Sequence, residues 1–375
     1  MCFDNPTPVF NIEILMQIQK KLNLKDKVTQ SATGFLINRV YPLLDGTQKQ
    51  EGQPFIQPYP MVPYIDSHRI GWTHYGVMIP DLAAPHQFFS IMSIVGAAGA
   101  LAFDTDHALA SSPRRSAALV SGTAATHPNL FRSYSIDHDC DMRADGSVIQ
   151  FGQDLKITGR YPDYHVSASY ADFELEIDIH NTDKVSWFVK SPVYDHLSLL
   201  STYSGFLTWQ GERQEISGLC TFEYAASASP YLLKDKPLSS ELKIPLDFFT
   251  YQIINLDERT QILLNDTRIN GVKAVSKAFL RSLDDYNQSY VADFEVLTYQ
   301  SELAIAPDGV TMKLPQTFAW KVYDQDQLIF VIHAEVDTPF TYGLGSGYVG
   351  GYVYSGQYND QPISGRGYIE YIDRR

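Results

Sequence analysis

The chain has 375 residues, of which 44% are hydrophobic and 19% charged, and an excess of acidic side chains gives it a net charge of −14. This length predicts two domains of about 150 residues each. The negative charge disfavours binding to nucleic acids and to anionic membranes, because their phosphate groups would be repelled. Three scattered cysteines, Cys2, Cys140 and Cys220, do not form a disulfide framework, so we expect a cytoplasmic protein.

The N-terminal region, residues 1–63, is predicted to be a helix followed by a proline-rich linker. Apolar residues recur at helical spacing in Asn11–Lys27, which is typical of an amphipathic helix packed on a barrel end. Prolines in residues 46–63 indicate an extended linker over the surface. The most apolar window, residues 88–103, has 16 residues. It is short for a membrane span, so we expect it to be buried and predict no stable membrane insertion.

From residue 64 onwards the sequence has the pattern of β-strands. In Tyr170–His180 apolar and mostly acidic side chains alternate, as in a strand with one face in water. The charged segment Tyr231–Ser240 is predicted to connect two domains, which span residues 64–230 and 241–375. Lys273–Ser282 is a further candidate for a helix. We therefore predict a mainly β protein with two tandem antiparallel β-barrel domains and an N-terminal helix.

An internal duplication supports this division into two barrels. Residues 214–225 (QEISGLCTFEYA) and 361–372 (QPISGRGYIEYI) share Gln, Ile-Ser-Gly and Glu-Tyr at the same relative positions. A repeat spaced by about one domain length is typical of two tandem units. Upstream, Gly205–Gln210 is aligned with Gly351–Ser355, so each copy is predicted to be a hairpin that closes its half of the protein.

The repeated Glu-Tyr pair allows two interpretations. Glu223 and Tyr224 recur as Glu370 and Tyr371. Because an active site needs its acid only once, a feature kept in both copies is first interpreted as architectural. The second interpretation gives Glu223 a catalytic role and Tyr224 a role in ligand binding, and it stays open.

Three stretches resemble the family that contains bacterial carotenoid 1,2-hydratase and the AttH-like proteins, whose members have two lipocalin-like domains. Gly71-Trp72-Thr73-His74-Tyr75 is similar to the strand that opens the first domain of that family. Residues 248–257, followed by Arg268, resemble the opening strands of the second domain, and residues 365–371 resemble its closing strand. The resemblance implies two lipocalin-like barrels and an apolar ligand. Gly71 and Thr73 replace the Glu and second Trp of the family motif, so hydration of a carotenoid is not implied.

Hydration or cyclisation of an isoprenoid needs an aromatic cavity that stabilises a carbocation, together with a positioned acid and base. The candidate catalytic residues are His74, Asp195, His196 and Glu223. An Asp195–His196 pair would transfer protons if both side chains faced inwards. The alternative is that the tryptophans are core residues and His74 is a hydrogen-bonded strand-end histidine. The candidate ligand-binding residues are Trp72, Tyr75, Tyr194, Trp209 and Tyr224.

No metal or cofactor site is predicted. Residues 137–141 hold three aspartates, a histidine and a cysteine, but neighbouring strand residues point to opposite faces, so a solvated acidic turn is favoured. The sequence therefore predicts binding of an apolar isoprenoid or lipid-like molecule, possible cofactor-free hydration, cyclisation or isomerisation, and no nucleic-acid partner. The alternatives are a non-catalytic carrier and a structural protein whose barrels are filled by side chains. The sequence does not indicate an oligomeric state.

Overall fold

Two antiparallel sheets form the part of the chain that the structure, a computed structural model, describes: residues 29–31, 33–126 and 131–375. The predicted helix Asn11–Lys27 lies outside these residues. One helical stretch covers residues 33–44, and the other helical segments of the described part are three or four residues long. The helical segments with defined bounds are Leu36–Val40, Tyr41–Leu44, Thr47–Gln50, Asp106–Ala108, Pro113–Arg115, Ile136–Asp139, Pro230–Leu232 and Ser240–Leu242.

The first sheet is a nearly closed barrel of eleven strands among the described residues, in the order β4-β3-β2-β1-β11-β10-β9-β8-β7-β6-β5. Strands that follow one another in the chain are paired, except for β4 and β5, which lie at the two open edges of the sheet. The first strand, β1, also pairs with the last, β11. The strands are β1 (Trp72–Ile79), β2 (Phe89–Val95), β3 (Ser116–Thr123), β4 (Phe131–Ser135), β5 (Cys140–Met142), β6 (Val148–Phe151), β7 (Leu155–Arg160), β8 (Asp163–Tyr170), β9 (Phe173–Lys190), β10 (Tyr194–Trp209) and β11 (Glu212–Ser227).

The second sheet is a closed barrel, because β17 pairs with both β16 and β19. The short β18 lies outside the ring, beside β19. The strands are β12 (Leu246–Asn255), β13 (Thr260–Ile269), β14 (Val272–Ser282), β15 (Gln288–Ile305), β16 (Thr311–Asp324), β17 (Gln327–Val336), β18 (Thr341–Leu344), β19 (Gly347–Tyr358) and β20 (Gln361–Asp373). The predicted fold class, two tandem lipocalin-like barrels, is confirmed.

Side chains fill each barrel. Phe173, Phe222 and Leu199 lie in the core of the first barrel, and Trp320 and Phe318 in the core of the second. The predicted linker also contributes to the first core: the carbonyl groups of its residues 61 and 62 accept hydrogen bonds from two core tyrosine hydroxyls. It is therefore more than an extended surface linker, and it covers one end of the barrel.

The predicted strand pattern is largely correct, with one wrong element type. Alternate residues of β9 from Phe173 to His180 are buried and exposed in turn, as predicted. Lys273–Ser282 is part of β14 and not a helix; its residues pair with β13 and β15, and this pairing outweighs the local helical spacing. The apolar window at 88–103 contains the fully buried strand β2, as expected. In the described part of the chain we find no helix long and apolar enough to cross a membrane.

The strand register confirms the duplication but corrects its upstream alignment. Gly205 pairs with Ile216 in the first barrel, and Gly356 pairs with Ile363 in the second. Since these two isoleucines are equivalent in the repeat, Gly205 corresponds to Gly356 and not to Gly351. The matching segments are then Tyr-Ser-Gly at 203–205 and 354–356. The turn has two residues in both copies, 210–211 and 359–360, but each strand of the first hairpin extends two residues further towards the turn, and that difference displaced the sequence alignment.

The boundaries of the two predicted domains, 64–230 and 241–375, stay predictions. The first sheet ends at Ser227 and the second begins at Leu246, so the predicted connection Tyr231–Ser240 lies between the sheets. The outer faces of the two barrels pack against each other, which Phe188 illustrates through its ring contacts with Tyr251 and Phe279.

We predict that Gly205→Ala and Gly356→Ala each lower the free energy of unfolding by about 3 kcal/mol, the upper end of the usual cost of overpacking. A Cβ at Gly356 would lie 1.9 Å from the carbonyl oxygen of Val331, and one at Gly205 would lie 2.0 Å from that of Glu176. Guanidinium unfolding measures the change. Ser355→Ala, at the exposed neighbouring position, is the control and should be nearly neutral. Equal stability of all three variants would contradict the close strand approach.

Candidate functional site

Three adjacent strands of the first barrel bring two histidines and a glutamate to its outer face. His74 on β1 and His196 on β10 lie on either side of Ala225 in β11. Glu223 lies two residues before Ala225 on the same strand, so its side chain points to the same face. All three side chains are largely buried, with Glu223 only 2% exposed and His74 5%.

Hydrogen bonds orient the rings of both histidines. The Nδ1 atom of His74 lies 2.7 Å from the carbonyl oxygen of Ser93, so Nδ1 carries a proton and donates it. In His196, Nδ1 lies 3.1 Å from the hydroxyl of Tyr194. Each ring therefore directs its Nε2 atom towards Glu223. The ring of His74 passes over Gly76, where a Cβ atom would lie 2.7 Å from Nε2.

The carboxylate of Glu223 lies between the two barrels. Its Oε2 atom is 3.8 Å from the Nε2 atoms of both His74 and His196. Its Oε1 atom accepts a hydrogen bond of 2.5 Å from the hydroxyl of Tyr251, on β12 of the second barrel. Burial alone would raise the pKa of Glu223, but the adjacent histidines lower it to about 2. The glutamate is therefore ionised at neutral pH. For His196, burial lowers the pKa of the imidazole.

The second copy of the repeat places Glu370 at the same cavity. Glu370 accepts a hydrogen bond of 3.1 Å from the hydroxyl of Tyr368. Burial, and then the negative charge of Glu223, raise the pKa of Glu370 well above its usual value. The protonated form of Glu370 is therefore favoured. The two repeated glutamates line the same cavity, and their pKa values are shifted in opposite directions.

The positions beside the two glutamates differ in size. Gly76 pairs with Glu223 across β1 and β11, and Tyr251 pairs with Glu370 across β12 and β20. The small residue in the first copy makes room for the ring of His74. The large residue in the second copy reaches across the interface to Glu223. The duplicated framework thus provides an asymmetric site.

A cavity of about 90 Å³ lies between the barrels at these side chains. It adjoins a cleft of about 400 Å³ that shares several of its lining residues, among them Trp72, Phe103 and Tyr194. Apart from the polar cluster, the cavity wall is mainly apolar, and it includes residues from both barrels. Further lining residues are Met92, Ile94, Ala118, Phe188, Val189, Leu246, Phe249 and Val275.

A buried arginine joins the two barrels next to this cluster. Arg281 on β14 is 1% exposed. Its guanidinium donates hydrogen bonds to the backbone carbonyl and hydroxyl of Ser198 on β10, to the carbonyl of Leu199, and to the side chain of Gln261. Burial lowers the pKa of Arg281 to about 10, which leaves it charged at neutral pH. The cation offsets part of the negative potential of Glu223.

Five of the residues predicted from the sequence lie together at the cavity. Their side chains line its wall, and the ring of Trp72 contacts that of Tyr194. These residues are Trp72, His74, Tyr194, His196 and Glu223.

The other four predicted residues lie elsewhere. Asp195 faces away from His196, because consecutive strand residues point to opposite sides; it accepts hydrogen bonds from Tyr59 and Lys190. Tyr75 and Tyr224 point into the first barrel, where their rings contact each other. Trp209 packs against His86 and does not line the cavity. The expected Asp195–His196 pair is therefore not formed.

Sequence reasoning did not find Tyr251, Glu370 or Arg281. The duplication did contain a signal for Glu370. Equivalent residues of two repeats packed face to face come close to each other, so a repeated acid on the outer face is expected twice at the interface. The partners of Arg281 come from strands distant in the chain, and no local pattern indicates them.

Comparisons with known proteins agree with this architecture. An AttH-like protein of Nitrosomonas europaea matches with a TM-score of 0.56 at 13% identity, over 86% of this chain and 98% of that one. Kievitone hydratase of Nectria haematococca matches with a TM-score of 0.53 at 11% identity, over 86% and 94% of the two chains. At these identities the likeness concerns the fold, and it confirms the resemblance found in the sequence. No curated protein matches the sequence.

A family model identifies the chain. Residues 92–375 match the family of unknown function DUF6670. The match covers most of both sheets, and the chain belongs to this family.

We predict that Arg281→Ala lowers the free energy of unfolding by about 3 kcal/mol or more, because several buried acceptors lose their charged donor. Arg259→Ala is the matched control, since Arg259 forms a solvent-exposed ion pair with Asp284 and its loss should change the stability much less. Chemical denaturation monitored by circular dichroism compares the two variants. Equal effects would show that the bonds of Arg281 do not stabilise the barrel interface.

Proposed function

We propose that this DUF6670 protein binds an apolar small molecule, isoprenoid or lipid-like, between its two barrels, and carries out proton-transfer chemistry on it. The observation that supports this most is the position of the polar cluster. Ionisable side chains of both barrels, Glu223 and Glu370, lie at the end of an otherwise apolar cavity. Sites for small molecules typically combine apolar walls with a few placed polar groups.

The filled barrel cores favour the interface over the barrel interiors as the binding site. Lipocalin-like barrels of other proteins can hold a ligand inside. Here aromatic side chains such as Trp320 and Phe173 occupy both interiors. The 400 Å³ cleft beside the polar cluster is in the size range of small-molecule sites.

Glu370 is the proposed proton donor. Its neutral carboxyl group would transfer a proton to one carbon of an alkene, which leaves a positive charge on the neighbouring carbon. The faces of Phe188, Phe249 and Trp72 would stabilise that charge. Water then adds to the cation and returns a proton to the Glu370 carboxylate, which completes a hydration. Alternatively, loss of a proton from an adjacent carbon to the same carboxylate gives isomerisation. In a cyclisation, a second alkene of the same molecule attacks the cation and the positive charge moves to a further carbon, which then loses a proton from its neighbour to the Glu370 carboxylate.

A non-catalytic carrier of the same ligand is the second candidate. Gly71 and Thr73 replace two residues of the opening motif of the resembling family, which supports this alternative. One of the proteins with this fold, kievitone hydratase, is named for a hydration, which is in line with the catalytic candidate. A solely structural role would not explain why the buried side chain of Glu223 borders an apolar cavity. The experiments below separate the three.

We predict that polyene and fatty-acid probes quench the tryptophan fluorescence of the protein in a saturable manner. The response should come from Trp72, which lines the cavity. Trp72→Phe should therefore remove most of the change, whereas Trp209→Phe, which replaces the indole that packs against His86, should retain it. No saturable response to any apolar probe would contradict ligand binding. Loss of the response in Trp209→Phe alone would place the ligand elsewhere.

We predict that Glu370→Gln abolishes turnover and retains binding of the probe. The assay incubates each bound probe with the protein in deuterated water and measures incorporated deuterium or added water by mass spectrometry. Protonation of an alkene by a solvent-exchanged carboxyl group introduces deuterium in each of the three reactions. A loss of about 100-fold or more is expected for removal of a general acid.

Glu335→Gln is the matched control, because Glu335 is an exposed glutamate of the same barrel. It should leave turnover unchanged. Binding without deuterium incorporation in the unmodified protein would support the carrier. Turnover that persists in Glu370→Gln would remove Glu370 as the proton donor.

A further inference from the structure

We propose that His74, His196 and Glu223 form a binding site for a divalent transition-metal ion that faces the cavity. The three residues offer one ligand atom each, and these atoms lie within 4.8 Å of one another. Two imidazoles and a carboxylate are a ligand set that zinc, cobalt and ferrous iron accept. This inference stands apart from the proposed ligand and its chemistry.

The histidine nitrogens are the first argument. The Nε2 atoms of His74 and His196 are buried and make no hydrogen bond to any of the described residues. Buried polar atoms almost always have a partner, so two such atoms pointing at one carboxylate call for an explanation. In the neutral imidazole of His74 the proton is on Nδ1, which donates it to the carbonyl of Ser93, so the Nε2 atom has the lone pair. A lone pair is what a metal ion requires.

The distances are the second argument. Each Nε2 atom lies 3.8 Å from Oε2 of Glu223, which is too long for a hydrogen bond. A water molecule that hydrogen-bonds two such atoms at a tetrahedral angle would set them about 4.5 Å apart. Metal–ligand bonds of about 2.0–2.2 Å in a tetrahedral site set the ligand atoms about 3.3–3.6 Å apart. The two nitrogen–oxygen spacings are closer to this value, and all three ligand atoms lie within 4.8 Å of one another, so the imidazole rings would move inwards to complete the site.

Hydrogen bonds from neighbouring residues orient all three proposed ligands. The Nδ1 atom of His74 donates a hydrogen bond to the carbonyl oxygen of Ser93. The Nδ1 atom of His196 forms a hydrogen bond with the hydroxyl of Tyr194. Tyr251 donates to the carboxylate oxygen of Glu223 that does not face the histidines. Partners of this kind fix the orientation of metal ligands. The remaining coordination position would open into the apolar cavity.

The nearby charges leave the carboxylate available. The hydrogen bonds of the Arg281 guanidinium go to Ser198, Leu199 and Gln261. Glu370 lines the same cavity, and its carboxyl group accepts a hydrogen bond from Tyr368. Glu223 therefore keeps one oxygen for an ion.

The test titrates the full-length, chelator-treated protein with Zn²⁺ by calorimetry and with Co²⁺ by visible absorption. We expect one ion per chain, with the absorption bands of cobalt bound by nitrogen and oxygen ligands. Glu223→Gln and His74→Gln, which preserve side-chain size or polarity, should each lose this binding. Circular dichroism shows whether the variants are folded. If one does not fold, its partner variant and the unmodified protein still decide the result.

His165→Ala is the control for adventitious binding. His165 lies on the surface, with its ring nitrogens 2.7 Å from Glu176 and 2.8 Å from Asp178, and so offers a second histidine–carboxylate cluster. Its replacement should leave the binding of one ion unchanged. Absence of binding in the unmodified protein would overturn the proposal. So would binding that persists in folded Glu223→Gln and His74→Gln but disappears in His165→Ala.

Discussion

The buried charge of Glu223 is the constraint on which the interface between the barrels depends. A carboxylate removed from water costs several kcal/mol unless polar groups compensate it. Here the compensation comes from His74 and His196 on one side and Tyr251 on the other. Because Tyr251 belongs to the second barrel, the charge is compensated only when the barrels are docked. Arg281 adds a buried cation at the same junction.

The duplication explains how one framework can supply two different carboxyl groups. Both copies place a glutamate on the last strand of the barrel, on the face that packs against the other copy. The neighbouring position is Gly76 in one copy and Tyr251 in the other, and this difference breaks the symmetry. The pKa of Glu223, between two histidines, is consequently lowered, whereas burial and the charge of Glu223 raise that of Glu370, which lies beside a tyrosine. Divergence after duplication thus placed two carboxyl groups with different surroundings at one cavity.

The proposed metal ion and the proposed proton transfer assign different residues to different tasks. An ion would occupy the histidines and Glu223, and Glu370 would remain free to exchange a proton. An ion in this position would also neutralise the buried negative charge and hold a water molecule or a polar group of the ligand against the apolar wall. If the site binds no ion, the histidines compensate Glu223 only as imidazolium groups, which carry a proton on each Nε2 atom as well. The charge needs a partner in both cases.

The fold class, the duplication and five of the residues that line the cavity could be predicted from local patterns in the sequence. These predictions rest on local patterns: the alternation of apolar and polar residues along strands such as β9, and the repeated Ile-Ser-Gly and Glu-Tyr. Such patterns can be recognised without knowing how the strands are arranged in space. Which face of each strand borders the cavity follows only from the packing of the two barrels. Asp195 and His196 are neighbours in the chain but point to opposite sides of a strand, so their expected pairing failed. Tyr251, Glu370 and Arg281 reach the site only through the docking of two sheets, and no pattern within one segment encodes contacts between segments so far apart.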